Sequence, residues 1–372
     1  MTSIQHWLAR YRIGNYRERV QMDQLNKLSK GELLTLLSKK KISYYQLSSS
    51  ERESILVVPA FGGRLLGAFF DSQNLLWVNK VSFEGWNKGG HRTWYAPEWT
   101  QKSIYISNGL ESWQVPSQMD PGNYQVTEYW PDRLIAMKSD FNVETYDHTH
   151  YHLSFTRKIT LETQEEYEES FLILKNIPNL RYISLLFEHC LTNKTMVTIF
   201  EKIGLWSILA VIPPGDVIVP LAETTGQIYY DYYEPLSMER MKISKDCLSV
   251  FVDGEKRYKV GFPPDKTRGK IGYVPRIEEK YSYLILKSFP NLINGKYVDK
   301  PKDDLRSSGD IIQAYNHFEG KELAFAELES HAPAKVLLPG EEQGFSIKLL
   351  FLFGPKQSLD QAVAKLFGEV II

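Results

Sequence analysis

From Ile42 to about residue 355 the chain repeats one pattern, a short apolar or alternating run and then a turn. Ile55–Val58 stops at Pro59, and Arg64–Phe70 starts after Gly62-Gly63. Leu75–Val78 follows. Tyr151, Leu153, Phe155, Ile159 and Leu161 share one face of a period-two strand that Arg157 interrupts. Ile183–Leu191 and Met196–Phe200 flank the turn at residues 192–195, and Trp206–Ile212 ends at Pro213-Pro214-Gly215 before Val217–Leu221. Leu248–Val252 and Lys256–Val260 flank Asp253-Gly254, a sequence that predicts a hairpin. Tyr281–Leu286, Leu323–Glu329 and Phe345–Phe353 are the later strands. Helical periodicity is scarce over this span, so strands do not alternate with long helices and a doubly wound sheet is not expected. The fold class is all-β, a large antiparallel sandwich.

Two segments depart from the pattern. Residues 1–41 are charged and rich in helix formers, and read as an N-terminal helical extension to a β-domain over 42–372. Ser29-Lys30-Gly31-Glu32 fits a capping box ahead of Leu33, Leu34, Leu36 and Leu37. Lysines 39–41 suit the negative end of that helix. Ile4, Trp7, Leu8 and Tyr11 fit an earlier amphipathic helix. The extension packs on the main domain in one reading and makes a homodimer contact in the other. A short helix over Asp360–Phe367, capped by Ser358, closes the chain. Residues 290–310 read as a long loop bordering a site.

Composition narrows the function classes. The formal net charge is -1 and no long basic block occurs, so nucleic acid is not an expected partner. No run approaches the roughly 20 apolar residues of a membrane span, and no leader-like core opens the chain, which reads as cytoplasmic and off the membrane. Two cysteines, Cys190 and Cys247, form neither a disulfide framework nor a metal spacing. Phosphate-loop, dinucleotide-binding, nucleophile-elbow and zinc-protease signatures are absent, so no cofactor is expected.

Four clusters could carry chemistry. Gly89-Gly90-His91-Arg92-Thr93-Trp94-Tyr95-Ala96-Pro97-Glu98-Trp99 combines two glycines, an imidazole, a guanidinium, aromatic rings and a carboxylate. That mixture suits a small carbohydrate, whose C–H patches aromatic faces cover and whose hydroxyls Arg, His and Glu bond. Equally, it describes a loop whose aromatics enter the core while its charges stay wet. Glu327 and Glu329 share a face of a strand, where two carboxylates raise each other's pKa, or lie on a solvated surface. Glu201 and Trp206 bracket a third segment, as cleft residues or as an ion-paired Glu and a core Trp. His148, His150 and His152, if extended, share a face at a metal-binding spacing, and the same face continues with polar residues as a solvated surface would.

In order along the chain stand Pro59–Leu66, Asn74–Trp77, the segment 89–98, Leu191-Thr192-Asn193, Ile203–Ser207, Val219-Pro220, Lys270-Ile271-Gly272, Glu327–Pro333 and Pro339-Gly340. This order resembles the galactose mutarotase-like (aldose 1-epimerase-like) superfamily over roughly residues 45–355, in particular a branch with a Gly-Gly-x-x-x-Trp-x-Ala-Pro-Glu motif. The resemblance implies a β-supersandwich with a carbohydrate site on one sheet and needs no metal or nucleotide. It implies a carboxylate base that removes the anomeric proton, matched best by Glu329 and then by Glu327, with Glu201 the third catalytic candidate. It also implies ligand contacts from His91 and Arg92, and Trp94, Glu98, Trp206 and Lys270 are the further candidate ligand contacts. The chain departs from the pattern after Asn193, where the mutarotases carry their acid histidine and this sequence reads Lys194, then Glu201 and Trp206. The expected function is carbohydrate binding or modification, with an aldose mutarotase-type isomerase as the enzyme reading. A non-catalytic sugar sensor and a metal enzyme on His148, His150 and His152 are the alternatives.

Overall fold

The computed structural model describes residues 28–84, 87–100, 103–106, 112–277, 279–320 and 323–371. Among them, two antiparallel sheets of eleven and ten strands stack face to face. The first runs from Tyr45–Ser48 through Glu53–Val58, Arg64–Phe70, His91–Ala96, Ile199–Val211, Phe325–His331, Ile312–His317 and Tyr258–Phe262 to Tyr230–Asp231. The second centres on Tyr281–Ser288, Glu342–Pro355, Arg181–Asn193 and His150–Leu161. Alternating side chains of both sheets, such as Leu205, Leu209, Leu328, Leu153, Phe187 and Ile285, form one continuous core.

The outer faces are covered differently. On the second sheet, helix Lys356–Phe367 sets Leu359, Ala362, Val363, Leu366 and Phe367 against Ile218, Leu284, Leu286, Leu350 and Leu352. On one end of the first sheet, helix Lys30–Lys39 sets Leu33 and Leu37 on Leu56, Val58, Leu66 and Phe69. Its capping box is formed as expected: Ser29 Oγ accepts from the Glu32 N–H, and the Glu32 carboxylate accepts from Ser29 N–H at 2.8 Å. The helix expected around Ile4–Tyr11 lies outside the described residues. Among the described residues no helix covers the middle of the first sheet's outer face, and there the cavity forms.

Three local expectations are corrected. Leu248–Val252 and Tyr258–Phe262 are not a hairpin, because they belong to different sheets. Asn316 decides this: its side chain accepts from Gly254 N–H at 2.9 Å and donates to Asp253 and to the Lys256 carbonyl, carrying the chain from one sheet to the other. The closing helix begins at Lys356 behind Pro355, and Ser358 is buried inside it rather than capping it. Helix Gln164–Ser170 was not expected, although Thr163-x-x-Glu166 forms the same capping box as Ser29-x-x-Glu32.

Candidate functional site

Strand His91–Ala96 enters the sheet directly after Gly89 and Gly90, whose φ angles are +80° and +67°. A Cβ on Gly89 would lie 2.3 Å from the Trp77 carbonyl oxygen, and one on Gly90 2.2 Å from that of Leu65. These glycines thus serve close backbone approach within the sheet rather than approach to a ligand. The strand pairs with Ile199–Val211, which pairs with Phe325–His331, then Ile312–His317, then Tyr258–Phe262. The register is continuous. Arg92 stands beside Ile208, Glu329 and Gln313 in one row, and Ala210, Glu327, Tyr315 and Lys259 form the next.

Side chains of this outer face surround a cavity of about 380 Å³, within the size range of small-molecule sites. Its floor holds two buried ion pairs. Arg92 Nη1 lies 2.9 Å from Glu327 Oε1, and Lys259 Nζ lies 3.0 Å from Glu329 Oε2. Glu329 Oε2 also accepts from Trp206 Nε1 at 2.7 Å. The aromatic rings lock these charges in place. The Arg92 guanidinium lies 4.2 Å over Trp94, Lys259 Nζ lies 4.9 Å over Trp206, and His331 stacks on Trp206 at 5.7 Å. Trp94 Nε1 donates to the buried Asp120, which also holds Arg64 at 2.6 Å. At the mouth stand Glu98, Trp99, Trp113, Tyr233, Arg257 and His317.

The electrostatics follow from burial. Loss of water, with Glu327 and Asp299 nearby, pushes the Glu329 carboxyl up to about 7 against the pull of Lys259. Burial with Asp299 and Glu329 pushes the Glu98 carboxyl up to about 8. Burial alone would lower the Lys259 ammonium, but Glu329, Asp299 and Glu98 together hold it above its ordinary value. Asp299, 3.8 Å from Lys259, comes from the long loop over 290–310, which therefore does border the site.

The structure thus brings together Arg92, Trp94, Glu98, Trp206, Glu327 and Glu329. It does not bring the other candidates. His91 precedes Arg92 in a strand, so it points to the opposite face. Buried between the sheets, it pairs with Ser207 Oγ at 2.7 Å and with Arg157, and burial first and Arg157 second hold its pKa well below the usual histidine value. The same interruption of the apolar face by Arg157 thereby finds its partner. Glu201 lies about 16 Å along the strand from Trp206, within an irregularity of register between Ile199 and Ile203, and does not line the cavity. Lys270 belongs to the second sheet. His148 sits in a turn at φ +63° and pairs with the Glu144 carboxylate, while His150 and His152 are exposed on the strand beyond it. The three therefore do not share a strand face, and no group of three or more metal-ligating side chains assembles among the described residues. Sequence reasoning missed Lys259, Arg257, Tyr233, Tyr315 and His317. The alternation of Arg257 with Lys259 was the available signal, and the hairpin reading obscured it.

A model of a family of unknown function, DUF6786, matches residues 31–371. No curated protein matches the chain in sequence. Among solved structures, a candidate aldose 1-epimerase from Escherichia coli K12 superposes with a TM-score of 0.54 at 13% identity, covering 83% of this chain and 99% of its own. A galactose mutarotase-like protein from Lactobacillus casei reaches 0.51 at 9% identity, covering 83% of this chain and 100% of its own. The Slr1438 protein from Synechocystis reaches 0.50 at 11%, covering 85% and 96%. At such identities the likeness establishes the fold, and the fold is that of the galactose mutarotase-like superfamily.

Proposed function

We propose that this chain, which belongs to the family of unknown function DUF6786, binds a saccharide in the cavity between Arg92 and Lys259 and interconverts its anomers with Glu329 as general base. The observation that carries this reading is the Glu329 carboxylate itself. It is buried at the cavity floor, raised to about 7, and oriented by two bonds that both use Oε2. Oε1 is left to meet a ligand hydroxyl, and a pKa near the working pH is what general-base transfer needs. In the proposed step Oε1 takes the proton of the anomeric hydroxyl, the bond from the anomeric carbon to the ring oxygen breaks, and the ring oxygen takes up a proton. Glu98, which keeps its own proton up to about pH 8, supplies it. Rotation of the open-chain aldehyde and reversal of both transfers give the other anomer and restore both carboxyls. Arg92 orients ligand hydroxyls while neutralising Glu327. Trp94 and Trp206 already have faces occupied by cations, so the half-exposed Trp99 is the ring that covers sugar C–H groups.

The test is anomer interconversion followed by polarimetry or NMR over a panel of aldoses. Glu329→Gln is expected to lower the rate by about 10² or more, within the 10²–10⁴ typical of acid–base groups, while ligand-induced quenching of tryptophan fluorescence persists. Unchanged rates in the variant would remove Glu329 from the chemistry. A binding module without turnover is the second reading. The Lys259 ion pair favours it, because a neighbouring ammonium makes Glu329 a weaker base. Saturable quenching with no interconversion of any sugar would select it.

A further inference from the structure

Resting on the saccharide reading, we infer that the ligand carries an anionic substituent, a carboxylate or a phosphate, which Arg257 receives at the cavity mouth. Arg257 is two residues before Lys259 and so shares its face of the sheet, one strand repeat further out. Tyr315 stands across from Lys259, and Tyr315, His317 and Arg257 line the same cavity. Unlike the two cations of the floor, Arg257 forms no ion pair with a carboxylate among the described residues. Its Nη2 donates to the Tyr233 hydroxyl at 3.0 Å, and its guanidinium lies 4.5 Å over the Tyr233 ring. A neutral phenol therefore holds the fork in place without neutralising it, and the residue is exposed and lines the cavity.

The other cations of the lining are already paired. Arg92 is matched by Glu327, and Lys259 by Glu329 with Asp299 behind it. Glu98 at the mouth keeps its proton through neutral pH, so it neither cancels Arg257 nor repels an anion, and its O–H can donate to one. Arg257 is thus a stacked, planar donor with no carboxylate at ion-pair distance among the described residues. That geometry suits a bidentate contact with a carboxylate or phosphate, and a neutral sugar would leave it unused.

The experiment compares neutral hexoses, the matching uronates and the matching hexose phosphates by tryptophan quenching at low and at high salt. Uronates, phosphates or both are expected to bind about tenfold more tightly than the neutral sugars, with the gap narrowing in high salt. Whichever acid gains identifies the group. Arg257→Gln is expected to reduce the gap to about threefold or less, and Arg257→Lys to restore part of it. Equal binding of neutral and acidic sugars, or a gap that survives Arg257→Gln, overturns this inference and leaves the saccharide site standing. Failure of every sugar to bind overturns the saccharide reading and this inference with it.

Discussion

Glu329 and Glu327 are two residues apart on one strand, yet their surroundings assign them different work. Glu327 faces Arg92 in a buried pair whose disruption strands a charge. Arg92→Met should therefore cost roughly 3–5 kcal/mol of stability, and adding Glu327→Gln should return part of it, which urea denaturation can measure. Glu329 and Glu98 are raised to about 7 and about 8 and should shape the pH profile instead. A base works only when ionised, so the rate should climb as pH rises through about 7. An acid works only while protonated, so the rate should fall above about 8. The result is a narrow bell whose limbs belong to the coupled pair, and Glu98→Gln should remove the alkaline limb. A profile flat from pH 6 to 9 would contradict both assignments. At this scale the strand alternation that put Glu327 and Glu329 on one face was legible. The burial that raises Glu329 was not, since the groups around it, Trp206 and Asp299 with Lys259 pulling the other way, are distant in sequence.

Among the elements, strand His91–Ala96 is the most constrained. The segment from Gly89 to Trp99 was legible as a candidate site by its composition, but its orientation was not. Once it is a strand, alternation sends Arg92 and Trp94 to the cavity and His91 and Thr93 between the sheets, where Thr93 meets His189 at 3.2 Å. Composition cannot choose the parity, because it is set by pairing with Ile199–Val211. The entry glycines hold that pairing close. Gly90→Ala should lower stability by more than about 1 kcal/mol, since the new Cβ meets the Leu65 carbonyl and the backbone φ is positive. It should also weaken ligand binding through displacement of Arg92, two residues on. A denaturation midpoint and a quenching titration on the same preparation check both. By contrast, Ser29→Ala should cost about 1 kcal/mol by loss of the cap and leave ligand affinity unchanged, because its helix packs on the far end of the sheet.

At the scale of the two sheets, helix Lys356–Phe367 backs the second, and among the described residues no helix covers the middle of the first. Leu359 is buried in the helix that backs the second sheet, so Leu359→Ala should cost about 2–5 kcal/mol while the folded fraction binds ligand normally. Thermal denaturation with and without ligand separates the two effects. The sequence by itself determined the all-β antiparallel class, the capped helix before it and the candidacy of Arg92, Trp94, Glu98, Trp206, Glu327 and Glu329. Those features are written in period-two alternation, local turn chemistry and residue type, all of which act over a few neighbours. Only the tertiary structure decided which strands share a sheet, that the Asp253-Gly254 turn crosses between sheets, and that Lys259 and Arg257 join the site while His91, Glu201 and Lys270 do not. Pairing register and burial depend on contacts 60 or more residues apart, such as Asn316 with Gly254 or Lys259 with Glu329, and local pattern carries no record of them.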